Sequence, residues 1–328
     1  MKRAVFLDIA KAICIVLVVV GHSPSIIYPE WYKTFILGIY TFHMPLFMFA
    51  SGFIYNMTKN DDAYGTFLMK KVRRLVIPYF ICSFILIFIK LITQDFAYVR
   101  IHSSLISFIN VLYKPEAGRF LWFVWALWWM FVIIPFFKTR KQRLILFAIA
   151  MFIHFYPERI TEVLCLNSTK KMLVYFMAGV ITFDYKAVFS KFKQIPLYIY
   201  AILFVVAECL YFSDVRSFSW MKFLLAFIGI AFILSLSKEI EKIKSNGVQK
   251  VFRILSVSSY FVYLFHTTFE GLAKAILVKA SFYEGTISTF SFCMSELFII
   301  AFGLIIPILI YQFVVVRFKT TKFLFGLK

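Results

Sequence analysis

The stretch that most constrains this chain is Phe6 to Ser23, FLDIAKAICIVLVVVGHS. It is long enough to span a bilayer as a helix, yet it holds Asp8, Lys11 and His22. Ionisable groups inside a membrane segment cost several kcal/mol on most scales, roughly 2.5–3.5 each for a charge at the helix centre. Such residues mark functional positions unless they pair or reach the interface. Lys11 and His22 are eleven residues apart. At about 100° per residue they differ by roughly 20° around a helix axis and lie about 16 Å apart along it. Asp8 is one turn before Lys11, within i, i+3 pairing reach. One helix face therefore carries an acid–base pair near one end and an imidazole near the other. The plainer alternative is a neutralised pair snorkelling at one interface with a histidine cap at the other.

Composition extends this reading to the whole chain. Of 328 residues 62% are hydrophobic, and the mean hydropathy is +0.85. That excludes an ordinary soluble domain, and the unbroken apolar runs do not alternate as barrel strands do. The expected class is all-α: a polytopic membrane helical bundle forming one integral membrane domain over residues 1–328. The N-terminus has no cleavable signal pattern, because Asp8 and Lys11 interrupt the apolar region. Five scattered cysteines, Cys14, Cys82, Cys165, Cys209 and Cys293, have no metal-ligand or disulfide spacing. No metal site is expected.

About ten apolar segments follow one another: 5–23, 34–56, 72–93, 119–137, 143–157, 171–185, 195–213, 218–237, 253–280 and 290–316. Residues 100–113 form an amphipathic segment expected at the interface or re-entering it. Lysines and arginines then orient the bundle. Alternate flanks hold 23 of them: Lys2, Arg3; Lys59, Lys70, Lys71, Arg73, Arg74; Lys138, Arg140, Lys141, Arg143; Lys186, Lys191, Lys193; Lys238, Lys242, Lys244, Lys250, Arg253; and Arg317, Lys319, Lys322, Lys328. The other flanks hold about ten, among them Lys33, Arg100, Lys114, Arg119, Arg159, Lys170, Lys171 and Arg216. The positive-inside rule then puts both termini in the cytoplasm. It also accounts for the formal charge of +20 through cytoplasmic loops and contact with membrane lipid, with no nucleic-acid partner. In this orientation His22, His43, Glu208, Glu270, Lys274 and Glu296 fall in the outer halves of their helices, which predicts an outward-facing polar cavity.

Four motifs carry candidate chemistry. FHMPLFMFASGF in the second segment places His43 near Pro45, Ser51 and Gly52; it is either a cavity wall or a small-residue packing face. KKVRRLVIPY opens the third segment. Lys71, Arg73 and Arg74 at a helix N-terminus would suit the phosphates of a nucleotide-like substrate, or would simply be positive-inside charge. RFLWFVWALWW reads mainly as an aromatic belt of Trp122, Trp125, Trp128 and Trp129. SVSSYFVYLFHTTFEGLAK aligns Tyr263, His266 and Glu270 on one face, as a substrate wall or a buried structural pair.

Together these stretches resemble the acyltransferase family 3 proteins, multi-pass bacterial membrane acyltransferases that modify glycans. The family shows an Arg or Lys about ten residues before a His in its first helix; Lys11 and His22 are similar, with Asp8 at the acidic position. The SGF motif after an F-x-x-P-L-F-type run resembles His43 through Phe53, and R-x-x-R-L-x-x-P resembles Lys71, Arg74, Leu75 and Pro78. S-Y-x-x-Y-L-x-H resembles Ser259, Tyr260, Tyr263, Leu264 and His266. The first two motifs look most like the fucose 4-O-acetylase-like branch. The resemblance implies a multi-pass protein of the bacterial plasma membrane that moves an acetyl or other short acyl group from acyl-CoA to a glycan hydroxyl. His22 would be the general base, with Asp8 and Lys11 shaping the inner end of the path or holding the donor. His43, Tyr263, His266 and Glu270 would line the substrate, and Lys71, Arg73 and Arg74 would hold the phosphates of acetyl-CoA. That donor is a co-substrate; no permanently bound cofactor is expected. Unlike fused family members, the chain shows no esterase-like domain after its last helix, so acyl delivery by one is not expected. A transporter or flippase of a lipid-linked saccharide remains the alternative, although such proteins show internal repeats and the motifs of the first three segments do not recur. A membrane sensor or scaffold is the third reading.

Overall fold

The computed structural model describes residues 4–59, 61–93, 104–190, 195–213, 219–283 and 288–327. Of the positions counted above, Lys2, Arg3, Arg100, Lys191, Lys193, Arg216 and Lys328 lie outside the described residues, as does most of the first half of the 100–113 segment. Among the described residues every regular element is helical. The principal helices are α1 (Val5–His22), α2 (Glu30–Thr58), α3 (Tyr64–Thr93), α4 (Arg119–Phe136), α5 (Arg140–Phe155), α6 (Leu166–Asp184), α7 (Leu197–Phe212), α8 (Ser219–Glu241), α9 (Asn246–Lys279) and α10 (Thr289–Val315). One falls on each of the ten apolar segments. Seven of them, α1–α4 and α8–α10, are long and apolar enough to cross a membrane by length and composition. The shorter helices α5 and α7 have 16 residues each.

The helical bundle is tied together where the sequence permits closest approach. α2 packs along α6 more extensively than any other pair. Their glycines explain it. A Cβ on Gly52 would overlap the carbonyl of Phe176, and one on Gly179 would overlap the carbonyl of Phe49 and lie 2.8 Å from the Phe53 nitrogen. Small residues let membrane helices touch backbone to backbone, where dispersion replaces the hydrophobic effect that lipid does not supply. α1 lies at the centre, against α2, α8, α9 and α10. Its Ala10, Ala12, Cys14, Ile15 and Val18 are fully buried.

Contacts between elements show which parts share an end of the bundle. At one end Phe6 meets Phe53, Phe53 meets Phe183, and Tyr64 meets Phe136. Arg143 joins α5 to α2 and α6 there: its guanidinium donates to Asn56 Oδ1 at 2.7 Å and pairs with Asp184 at 2.9 Å. Both side chains of this ion pair are nearly excluded from solvent, at 7% and 8% exposure. Asp8 and Ser256 also meet at this end, as do Lys238 and Phe6. It therefore gathers most of the described lysines and arginines of the larger set. His22, His43 and the start of α4 lie together at the opposite end.

Two details differ from expectation. The third helix begins at Tyr64, eight residues before the expected start, so Lys71, Arg73 and Arg74 sit inside a helix and not at its N-terminus. Hydropathy falls at the basic cluster, but lysine and arginine are good helix formers and the helix runs through them. It does so with a π-type turn at Val72–Val76, next to Pro78, whose missing N–H disturbs the ladder. The four tryptophans do not form a simple belt either: Trp125 is buried and packs edge-on against Tyr79, with ring centres 5.5 Å apart.

Candidate active site

α1 ends in a cavity of about 510 Å³. Its lining includes Val18 and His22 of α1; Tyr40, Thr41, His43 and Met44 of α2; and Arg119, Phe120 and Trp122 at the start of α4. α5 adds His154, α6 adds Lys171 and Tyr175, α8 adds Lys222 and Phe223, and α9 adds Tyr263. Seven helices thus converge on one space. Two of the three histidines that line it, His22 and His43, are held by their own helices, and His154 is held by the neighbouring α6.

His22 Nδ1 lies 2.9 Å from the Val18 carbonyl one turn back. A carbonyl only accepts, so Nδ1 carries the ring proton and Nε2 keeps its lone pair. The same clamp recurs at His43, whose Nδ1 is 2.8 Å from the Ile39 carbonyl, and at His154, 2.8 Å from the Lys171 carbonyl. Around His22 the rings of His266, Tyr40 and Phe120 stand at 5.0, 6.2 and 6.2 Å, all edge-on. Gly21 makes room: a Cβ there would come within 2.9 Å of the Tyr40 ring. Tyr40 donates its phenol to the Gly21 carbonyl, and Tyr263 donates to the Phe120 carbonyl. Both phenols have therefore committed their protons, and only their lone pairs can meet a substrate hydroxyl.

The expected site residues are divided among several places. His22, His43 and Tyr263 line the cavity. His266 is fully buried behind His22; its Nδ1 donates to the Tyr263 carbonyl at 2.8 Å and its Nε2 has no partner among the described residues. Glu270, 1% exposed, lies beside Gly303 of α10, and among the described residues its Oε1 has no hydrogen-bond partner and no hydrogen bond links it to His266. Lys274, one turn further, donates to the His22 carbonyl at 3.2 Å and ties the end of α1 to α9. Asp8 and Lys11 form their ion pair at 3.0 Å, and Ser256 Oγ donates to Asp8 at 2.9 Å. They sit at the other end of α1, where Asp8 borders a second cavity of about 350 Å³ with Gln249, Lys250 and Arg253. The two cavities share no lining residue. Lys71, Arg73 and Arg74 line neither cavity: the Lys71 ammonium lies 3.8 Å from the centre of the Phe131 ring, while both arginines are exposed.

Sequence reasoning missed His154, Arg119, Lys171 and Lys222. His154 stands at the end of the short fifth segment, Arg119 and Lys171 were counted only as flanking topology charge, and Lys222 falls inside the eighth apolar segment. No periodicity within one helix could have joined residues from four different ones.

Against this geometry the chain was compared with known proteins. The family profile for an acyltransferase domain, acyltransferase 3, matches residues 5–312. The chain belongs to the acyltransferase 3 family. Among curated proteins it is similar to nodulation protein NolL of Mesorhizobium japonicum, 29% identical over 164 residues, covering 48% of this chain and 42% of that protein. It is also similar to nodulation protein NolL of Sinorhizobium fredii, 30% identical over 176 residues, covering 51% and 46%. The match thus spans a little under half the length of these curated relatives. No solved structure matches.

Proposed function

We propose that this protein moves an acetyl or other short acyl group from acyl-CoA to a hydroxyl of a cell-surface or lipid-linked glycan, with His22 as general base. The observation that carries this reading is the His22 imidazole, clamped through Nδ1 to Val18 so that the proton-accepting Nε2 belongs to a ring lining the cavity. A hydroxyl attacking a thioester must lose its proton, and a fixed imidazole of this tautomer is suited to take it. In the proposed step the acceptor oxygen bonds to the thioester carbonyl carbon as its proton passes to Nε2. Collapse of the tetrahedral adduct breaks the carbon–sulfur bond, and the leaving thiolate takes that proton as the thiol. An ester and free CoA result, and the imidazole is neutral again.

His43 and Tyr263 would position the acceptor, while His266 and Glu270 support His22 and the end of α1 from behind. Asp8 and Lys11 would shape the donor end, and Lys71, Arg73 and Arg74 would contact donor phosphate near that same end. The segregation of cationic residues to that end supports ten crossings of a bacterial plasma membrane with both termini in the cytoplasm. The donor then enters from the cytoplasm and the acceptor from the cavity at the other end.

Membranes containing the protein, supplied with acetyl-labelled acetyl-CoA and a glycan panel, should label at least one glycan in a base-labile linkage. Arg73→Gln with Arg74→Gln should raise KM for acetyl-CoA with little change in kcat, as expected for lost ground-state contacts. Movement of a lipid-linked saccharide without any acyl transfer would instead favour a transporter.

A further inference from the structure

The mouth of the His22 cavity is cationic on three sides. Arg119 comes from the start of α4, Lys171 from α6 and Lys222 from α8, and all three are exposed. Among the described residues no aspartate or glutamate lines this cavity. Three other cations of the same flanks are satisfied locally. Lys33 pairs with Glu30 at 3.2 Å, Lys114 pairs with Glu116 at 3.0 Å, and Lys170 donates to the Tyr156 and Glu158 carbonyls. Arg119 and Lys171, by contrast, make no side-chain hydrogen bond or ion pair among the described residues. Like charges held at one mouth repel, and a concave wall of low dielectric strengthens the field they share. Such an arrangement is suited to an anion. The guanidinium fork of Arg119 matches a carboxylate or a phosphate.

We infer that the acceptor carries a negatively charged group, a carboxylate or a phosphate, which Arg119 and Lys171 hold at the rim while the hydroxyl to be acylated reaches His22 below. This rests on the acyl-transfer reading above and narrows its substrate class. The aromatic walls between rim and floor, Trp122, Tyr175 and Phe223, are surfaces on which the apolar face of a sugar ring can lie. A charged sugar therefore satisfies both parts of the cavity, and a neutral one satisfies only the walls.

The test is a binding measurement with no donor present, on the full chain in phosphatidylcholine nanodiscs. Methyl glucuronide, glucose 1-phosphate and methyl glucoside serve as probes, read by titration calorimetry. The charged probes should bind on the order of tenfold more tightly than the glucoside, with a preference that shrinks as salt is raised. Arg119→Gln with Lys171→Gln should bring them down to the glucoside value and leave KM for acetyl-CoA unchanged. Equal binding of charged and neutral probes overturns the inference. So does a rise in KM for acetyl-CoA with glucuronide binding intact, which would assign the rim to donor phosphate. Loss of the preference when phosphatidylglycerol is added would assign it to lipid headgroups and overturn it as well. A protein that binds the charged probes but transfers no acyl group keeps the anion site at the rim and defeats the acyl-transfer reading, and with it the claim that the anion belongs to an acyl acceptor.

Discussion

Replacing His22 by asparagine removes the proposed base and little else. A general base supplies about 10²–10⁴-fold in rate, which at about 1.36 kcal/mol per decade is roughly 2.7–5.5 kcal/mol of barrier. The structural cost is smaller. The Nδ1 hydrogen bond to Val18 is one neutral bond, worth about 0.5–1.5 kcal/mol net. His22 is also only partly buried, at the edge of a cavity that water can enter, so the lost ring leaves no sealed void. His22→Asn should therefore fold and insert, with a melting temperature a few degrees lower at most, and lose at least about 100-fold in kcat. The assay is the initial rate of acetyl transfer at saturating acetyl-CoA, on equal amounts of purified protein with melting curves taken in parallel. His43→Asn should mainly raise KM for the acceptor, since His43 lines the cavity but is not the ring placed as base. His266→Asn should cost kcat less than His22→Asn, because its ring, 5.0 Å from that of His22, only supports it. Near-wild-type turnover by His22→Asn, with His43→Asn or His266→Asn inactive, would refute the assignment of the base to α1.

Removing Arg143 leaves the buried Asp184 without its cation, with only the Asn56 amide still donating to it, so Arg143→Met should destabilise the protein by about 3–5 kcal/mol in detergent unfolding, and Arg143→Met with Asp184→Leu should recover much of it. Gly52→Val pushes a branched side chain into the Phe176 backbone and should cost at least about 1–3 kcal/mol, seen as lower yield of monodisperse protein on size exclusion; a neutral outcome would mean α2 and α6 can separate freely. Reporter fusions near Lys141 and Lys242 should be active as cytoplasmic fusions and one near Glu116 as an external fusion. Finding the 138–143 loop outside would overturn the ten-crossing arrangement.

Much of the bundle was legible because hydropathy is a strong one-dimensional signal. Every apolar segment is a helix, and the glycine of SGF does sit at the closest helix contact. The alignment of Asp8, Lys11 and His22 was legible too, since one helix obeys one periodicity. What failed was whatever needed two helices at once. The basic cluster of α3 was expected at a helix start, because falling hydropathy looks the same whether a helix begins or merely leaves the hydrocarbon. The match of His266 to Glu270 by spacing was correct as geometry, yet each turns to other neighbours: His266 to the Tyr263 carbonyl and the His22 ring, Glu270 to Gly303. His154 and the rim cations were invisible for the same reason.

The separation of the two ends of α1 sets the remaining constraint on mechanism. Between the Asp8–Lys11 pair and His22 lie about 16 Å of helix, and the faces of Ala10, Cys14, Ile15 and Val18 are fully packed. A donor whose phosphates stay at the cationic end must send its thioester along this packed wall to reach Nε2. Beside the His22 cavity, the ring contacts of Phe47 with Phe123 and of Phe123 with Tyr263 pack α2, α4 and α9 against one another, next to Tyr263 of the cavity wall. Phe123→Ala should therefore open the path: the donor should reach His22 more freely, and acetyl-CoA hydrolysis without acceptor should rise as water follows. Single-turnover release of free thiol in the absence of any glycan measures this directly. If Phe123→Ala leaves both hydrolysis and transfer unchanged, the thioester does not travel between α1 and α4, and the donor must reach the cavity from its open mouth.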